Sequence, residues 1–165
     1  MKLTKKSLLY DIANMAYLIA DTGEHDRHTL HRVRDICQDG NIDRVSRVLG
    51  LAYSRLLAVM IPVLRVPEIS LRHDFSATPH DYEFAFREDR NMKYALTTEK
   101  KLRIKELCRE YMVCMVLADW LAVTMPEAAD VWKERMEKAF ENITALIISV
   151  STSLAGGYRR KLNPF

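Results

Sequence analysis

Residues 98–150 read TEKKLRIKELCREYMVCMVLADWLAVTMPEAADVWKERMEKAFENITALIISV, and this stretch decides the fold class. Behind Thr98 as an N-cap, Leu102, Leu107, Cys108, Tyr111, Met115, Ala118, Leu121 and Ala122 recur at helical spacing, which predicts a helix ending near Val123. Thr124-Met125-Pro126-Glu127 then reads as a restart. Thr124 is placed to cap, Pro126 falls in the first turn where its missing N–H costs nothing, and Glu127 stands three residues after the cap. Beyond it Ala129, Trp132, Met136, Ala139, Ile143, Leu146 and Val150 alternate by threes and fours, the seam of a helix that packs lengthwise on a neighbour. Two such helices joined by so short a break form a helical hairpin.

Toward the N-terminus, Leu8, Ile12, Met15, Ala16 and Ile19 stripe one side of a predicted helix from about Thr4 to Asp21, which Thr22-Gly23 stops. A short, charged helix is expected from Asp26 or Arg27 to Asp39, burying Leu30, Val33, Ile36 and Cys37 before the Gly40-Asn41 turn. A third, from about Asp43 to Met60, directs Val45, Val48, Leu49, Ala52, Leu56 and Val59 inward and gives way before Pro62.

The pattern changes between Pro62 and Thr97. Tyr82, Phe84 and Phe86 alternate with Glu83, Ala85 and Arg87 at the period of a strand, and Ile69, Leu71, His73 and Phe75 alternate as well. Two strands joined around Ser76-Ala77-Thr78-Pro79 would make a small β-hairpin, with a loop of that length leaving the register unspecified.

With 165 residues and 48% hydrophobic content the chain suffices for one domain with a core of its own. Its 25 Lys and Arg against 22 Asp and Glu leave a charge of +3, too small to announce a nucleic-acid binder. Three cysteines, Cys37, Cys108 and Cys114, form no close pair and sit among apolar residues, which favours a reducing compartment over a disulfide frame. Lys2, Lys5 and Lys6 precede an apolar run broken by Asp11, Asn14 and Asp21, so no signal peptide is expected, and no run reaches the roughly 20 apolar residues of a membrane span.

The candidate chemistry is sparse. His25, His28 and His31 recur every three residues, and His28, His31 and Asp35 would share a helix face able to hold a divalent metal only with a further ligand. Their spacing matches neither the Glu-x-x-His pairs of di-iron bundles nor His-Glu-x-x-His, and solvated or capping histidines explain them as well. Asp119 interrupts an apolar helix, as an acid with a raised pKa or as the partner of a cation on an adjacent helix. Asp11 and Asn14 carry the same ambiguity. No Gly-x-Ser-x-Gly, Walker loop, dinucleotide fingerprint or Cys-x-x-Cys occurs, so no enzyme activity, metal or cofactor is expected.

A competing reading rests on residues 45–56, where Ser46, Gly50, Leu51, Leu56 and then Val59 imitate a helix-turn-helix that would aim Tyr53, Ser54 and Arg55 at a DNA groove. A DNA-binding regulator or packaging factor is therefore the alternative. Helix formers flank Gly50 on both sides, and one glycine inside a continuous helix explains the same letters.

The chain closes on Gly156-Gly157-Tyr158-Arg159-Arg160-Lys161-Leu162-Asn163-Pro164-Phe165. Such a tail reads either as a disordered end or as an arm that orders on a partner. Tyr158, Leu162, Pro164 and Phe165 would anchor it, while Arg159, Arg160 and Lys161 would pair with carboxylates and Asn163 sits among them.

Together, Glu110-Tyr111-Met112-Val113-Cys114-Met115-Val116-Leu117-Ala118-Asp119-Trp120-Leu121, Pro126-Glu127-Ala128-Ala129, Trp132 and the terminal Arg160-Lys161-Leu162-Asn163-Pro164-Phe165 resemble small helical structural proteins of tailed phages and prophages, the head-to-tail connectors also called adaptor or neck proteins. The resemblance implies a virion subunit, assembled in the bacterial host cytoplasm, that forms a homo-oligomeric ring beneath the portal. It implies docking to the portal protein through Tyr158 to Phe165, contact with other tail or neck proteins, tolerance of non-specific contact with passing DNA, and no membrane. The three N-terminal helices and the aromatic strand exceed what a helical hairpin requires and would supply subunit contacts around a ring or a platform for tail components. The expected architecture is mostly α: a helical domain over residues 1–155 with a strand-containing segment at about 66–90, a long C-terminal hairpin, and an extended docking arm over 156–165.

Overall fold

The structure is a computed structural model that describes residues 1–22, 26–65, 81–88 and 90–157. The expected strand at Ile69 to Phe75, its loop to Pro79, His25, and the arm Tyr158 to Phe165 lie outside the described residues. The chain runs β1 (Lys2–Thr4), α1 (Lys5–Thr22), α2 (Arg27–Arg34), a single 3-10 turn (Asp35–Cys37), α3 (Ile42–Met60), β2 (Asp81–Glu83), α4 (Arg90–Ala95), α5 (Thr98–Thr124) and α6 (Pro126–Gly157). It is mostly α, a helical bundle with a long C-terminal hairpin and a small antiparallel sheet.

Helix α5 is the axis of the bundle. It packs along α6 and is also touched by α1, α2 and α3. Burial therefore extends around it: Ile104, Leu107, Cys108, Tyr111 to Cys114, Val116 to Ala118, Trp120 and Leu121 are all in the core. The single expected face was too narrow over Tyr111 to Leu121, where neighbours cover most of the helix, while the first three turns of α5 keep an exposed, charged face. Leu102, expected inside, is 57% exposed, and Ala122 lies outside too. On α6 the expected seam holds, with Ala129, Trp132, Ala139, Ile143 and Val150 buried and Met136 and Leu146 packed against them.

The caps differ from expectation by small steps with clear causes. Thr97, not Thr98, is the N-cap of α5, accepting a hydrogen bond from Lys100 N. Thr124 is the last residue of α5, and its hydroxyl donates back to Trp120 O at 3.0 Å instead of capping α6. Pro126 does begin α6, where its ring suits the first turn. That helix continues through Gly156 and Gly157, so the glycine pair closes the last turn and does not precede it.

Helix α1 presents Leu8, Ile12, Ala16 and Ala20 to the core, and Thr4 Oγ1 accepts from Ser7 N at its start. Asp26 caps α2 through Thr29 N at 2.9 Å, and this contact, with the Thr29 hydroxyl, holds its carboxyl below the ordinary carboxylate range. Helix α3 is continuous from Ile42 to Met60 with Gly50 inside it, and Ser46 Oγ donates to Ile42 O.

The described sheet takes its second strand from the N-terminal segment. β2 pairs antiparallel with the N-terminal β1, Leu3 opposite Tyr82, Lys2 opposite Glu83 and Thr4 opposite Asp81. Lys2 Nζ lies 2.7 Å from Asp81 and 3.6 Å from Glu83, so charge supports the register. The alternation at Tyr82, Phe84 and Phe86 was real, but three residues at the other end of the sequence supply the partner.

Candidate partner-binding surfaces

The aromatic strand is fixed from beneath by α3. The Tyr53 ring lies 5.2 Å from both Tyr82 and Phe84, tilted to the first and edge-on to the second, and its hydroxyl donates to Glu83 O. Tyr53 is thus committed to packing the strand, not directed into a groove. Arg55 instead lines a shallow hollow with Tyr111 and Phe140 that also holds Glu137 and Glu141. With α3 unbroken at Gly50, residues 45–56 contain no helix-turn-helix turn.

Extended chain continues past β2 to Arg87, pairing on its other side with residues 63–65. Leu64 and Phe86 form an antiparallel bridge, with Arg65 N donating to Ala85 O at 2.7 Å and Arg87 N to Val63 O at 3.1 Å. This turn-and-bridge holds Arg65 and Arg87 beside the first turns of α5. There Thr98, Lys101, Leu102 and Lys105 share one helix face by their spacing of three and four.

These residues, with Met1, Phe84 and Phe86, enclose a groove of about 800 Å³. Arg65, Arg87, Lys101 and Lys105 contribute four cations to it, against the one carboxylate of Glu88. None of the four has an ion-pair partner among the described residues. Lys101 Nζ instead lies 5.9 Å from the Phe86 ring centroid, a cation-π distance. Four arginines elsewhere do meet acids on other helices or turns: Arg44 and Asp119, Arg109 and Asp11, Arg135 and Glu110, Arg34 and Asp21. Sequence reading missed this groove because Leu102 scored as core. The signal available was Lys101 and Lys105 flanking it on the same face.

The other candidates resolve into structural roles. His31 Nδ1 lies 2.8 Å from Asp35 Oδ2, while Gln38 binds the other carboxylate oxygen and Asn41 Nδ2 donates to Asp35 O. Asp35 therefore organises the turn after α2. His28 is exposed and does not join them, and among the described residues no three His, Cys, Asp or Glu side chains are grouped to hold a metal. Asp119 and Asp11 each receive an arginine from another helix, and Asn14 is exposed. Burial pushes the Cys108 thiol up to about 12 and Cys114 to about 11, and raises Cys37, so all three are protonated at neutral pH.

The expected partner-binding residues Tyr158, Arg159, Arg160, Lys161, Leu162, Asn163, Pro164 and Phe165 lie outside the described residues and follow in sequence on Gly157, the last residue of α6. Among the described residues no helix is long and apolar enough to cross a membrane. Comparison of the chain with protein-family models, with curated proteins and with solved structures finds no match.

Proposed function

We propose that the chain is a non-enzymatic structural subunit of a virion, a head-to-tail connector that forms a ring beneath the portal and docks through Tyr158 to Phe165. The observation that carries this reading is the run of α6, unbroken from Pro126 to Gly157. Five residues longer than α5, it extends the hairpin by about 7 Å at the end opposite the Met125 turn. The basic, aromatic-tipped tail thus begins at the tip of a rigid element, which suits an arm that must reach a neighbouring protein. The protonated, buried thiols and the arginine-bound carboxylates favour scaffold over chemistry.

Deleting Gly157 to Phe165 tests the reading. The helical circular-dichroism signal is expected to stay at the full-length value while co-purification with the portal protein is lost. Retained binding, or collapse of the helical fold, contradicts it. Replacing Arg159 and Arg160 with alanine is expected to weaken docking, and unchanged affinity removes the charge-pairing role of the arm.

A further inference from the structure

The basic groove contains an open strand edge. In the bridge between Leu64 and Phe86, the hydrogen bonds are made by the residues on either side, so Phe86 turns its own N–H and C=O away from residues 63–65. Two residues earlier, Phe84 exchanges both hydrogen bonds with Met1, each 2.7 Å long. Alternate residues of a strand present their backbone groups to the same side. Phe86 therefore offers one donor and one acceptor along the line on which residues 1–4 pair with β2. Neither group has a partner among the described residues. The same groove carries Arg65, Arg87, Lys101 and Lys105, none of them ion-paired among the described residues, with the exposed Leu102 beside them.

We propose that this edge binds an extended acidic segment of a partner protein, added as a strand along Phe86. Its carboxylates lie among the four cations and its apolar side chains lie on Phe86 and Leu102. An open pair of backbone groups selects an extended polypeptide, since strand addition draws its affinity from main-chain hydrogen bonds. The four cations, without an ion-pair partner among the described residues, select acidic side chains. A neighbouring copy's tail is a poor occupant, because Arg159, Arg160 and Lys161 would bring like charge. Single-stranded nucleic acid would satisfy the cations but leave the Phe86 edge unpaired. This surface is independent of the C-terminal arm, and neither needs the other.

The test is fluorescence anisotropy of the full chain with a labelled short peptide of alternating valine and glutamate. Companion probes are the same peptide N-methylated on alternate amides in either register, a valine–lysine peptide, and a labelled oligothymidylate. The valine–glutamate peptide is expected to bind saturably. One N-methylated register and the valine–lysine peptide are each expected to bind about tenfold or more weakly, and Lys101→Glu with Lys105→Glu to weaken the acidic peptide by a similar factor with unchanged circular dichroism. Absence of saturable binding overturns the proposal. So does equal binding of both N-methylated forms, which would remove the strand edge, or preferential binding of the oligonucleotide.

Discussion

Arg44 of α3 and Asp119 of α5 close a two-point ion pair between helices, Nε at 3.0 Å and Nη2 at 2.9 Å from Oδ2, while Nη2 also donates to Asp119 O at 3.2 Å. The same guanidinium lies 5.4 Å from the Trp120 ring centroid. A carboxylate that breaks an apolar helix thus serves to dock a neighbour. Both side chains are partly exposed, so screening keeps the pair to about 1 kcal/mol or less. A double-mutant cycle with Arg44→Ala and Asp119→Ala, followed by urea denaturation, is expected to give a coupling within that range. A coupling of several kcal/mol would mean that the pair is effectively buried.

Gly50→Ala distinguishes a continuous α3 from a helix-turn-helix. A Cβ added at Gly50 meets nothing within 4 Å, and the residue is in the middle of the helix. Alanine is expected to stabilise by about 0.5–1 kcal/mol, mainly by lowering the entropy of the unfolded chain. In a chain of this size that is a rise in Tm of about 2–3 °C. A fall in Tm would indicate a turn at Gly50.

Tyr82 is buried with no hydrogen-bond partner for its hydroxyl among the described residues. Tyr82→Phe removes the unmet donor while keeping the ring against Tyr53, and is expected to stabilise by about 1 kcal/mol. Tyr53→Phe, which deletes the bond to Glu83 O, is expected to cost about 1 kcal/mol. The two changes, compared by thermal melting, should move Tm in opposite directions.

Alkaline pH should loosen the core. Burial raises Cys108 from 9.0 to about 12, Cys114 from 9.0 to about 11 and Tyr82 from 10.0 to about 12. The folded state keeps protons that the unfolded chain releases, so this stabilising contribution is complete below pH 9.0 and is lost as pH rises toward about 12. The urea midpoint is expected to fall between about pH 8.5 and about pH 10.5, less steeply in Cys108→Ala than in the parent. Equal slopes would show that Cys108 ionises as freely in the fold as out of it.

The hairpin was legible because its period is long and its break carries Pro126, whereas the enclosure of α5 was not. Periodicity locates one apolar face, but Tyr111 to Ala118 is apolar without interruption, and that run is the mark of a helix with neighbours on every side. Strand character at Tyr82, Phe84 and Phe86 was visible. Its partner was not, because Lys2 to Thr4 is too short to show a period and pairing across the chain leaves no local trace. The groove cations were hidden by the same limit: Arg65 and Arg87 approach Lys101 only once the bridge at Leu64 and Phe86 forms.

Threonine capping offers a sharper check on helix boundaries. Thr97→Ala is expected to cost about 1 kcal/mol through loss of the Lys100 N contact, and Thr98→Ala, inside the first turn, much less. Equal effects, read from urea midpoints, would place the cap elsewhere.

The central claim, a ring-forming subunit that docks through its C-terminal arm, is tested most directly by electron microscopy of the protein in its assembly, or mixed with the products of neighbouring genes. The account predicts a closed ring with density for Tyr158 to Phe165 lodged in an adjacent portal subunit. A monomer or dimer indifferent to those proteins would contradict it.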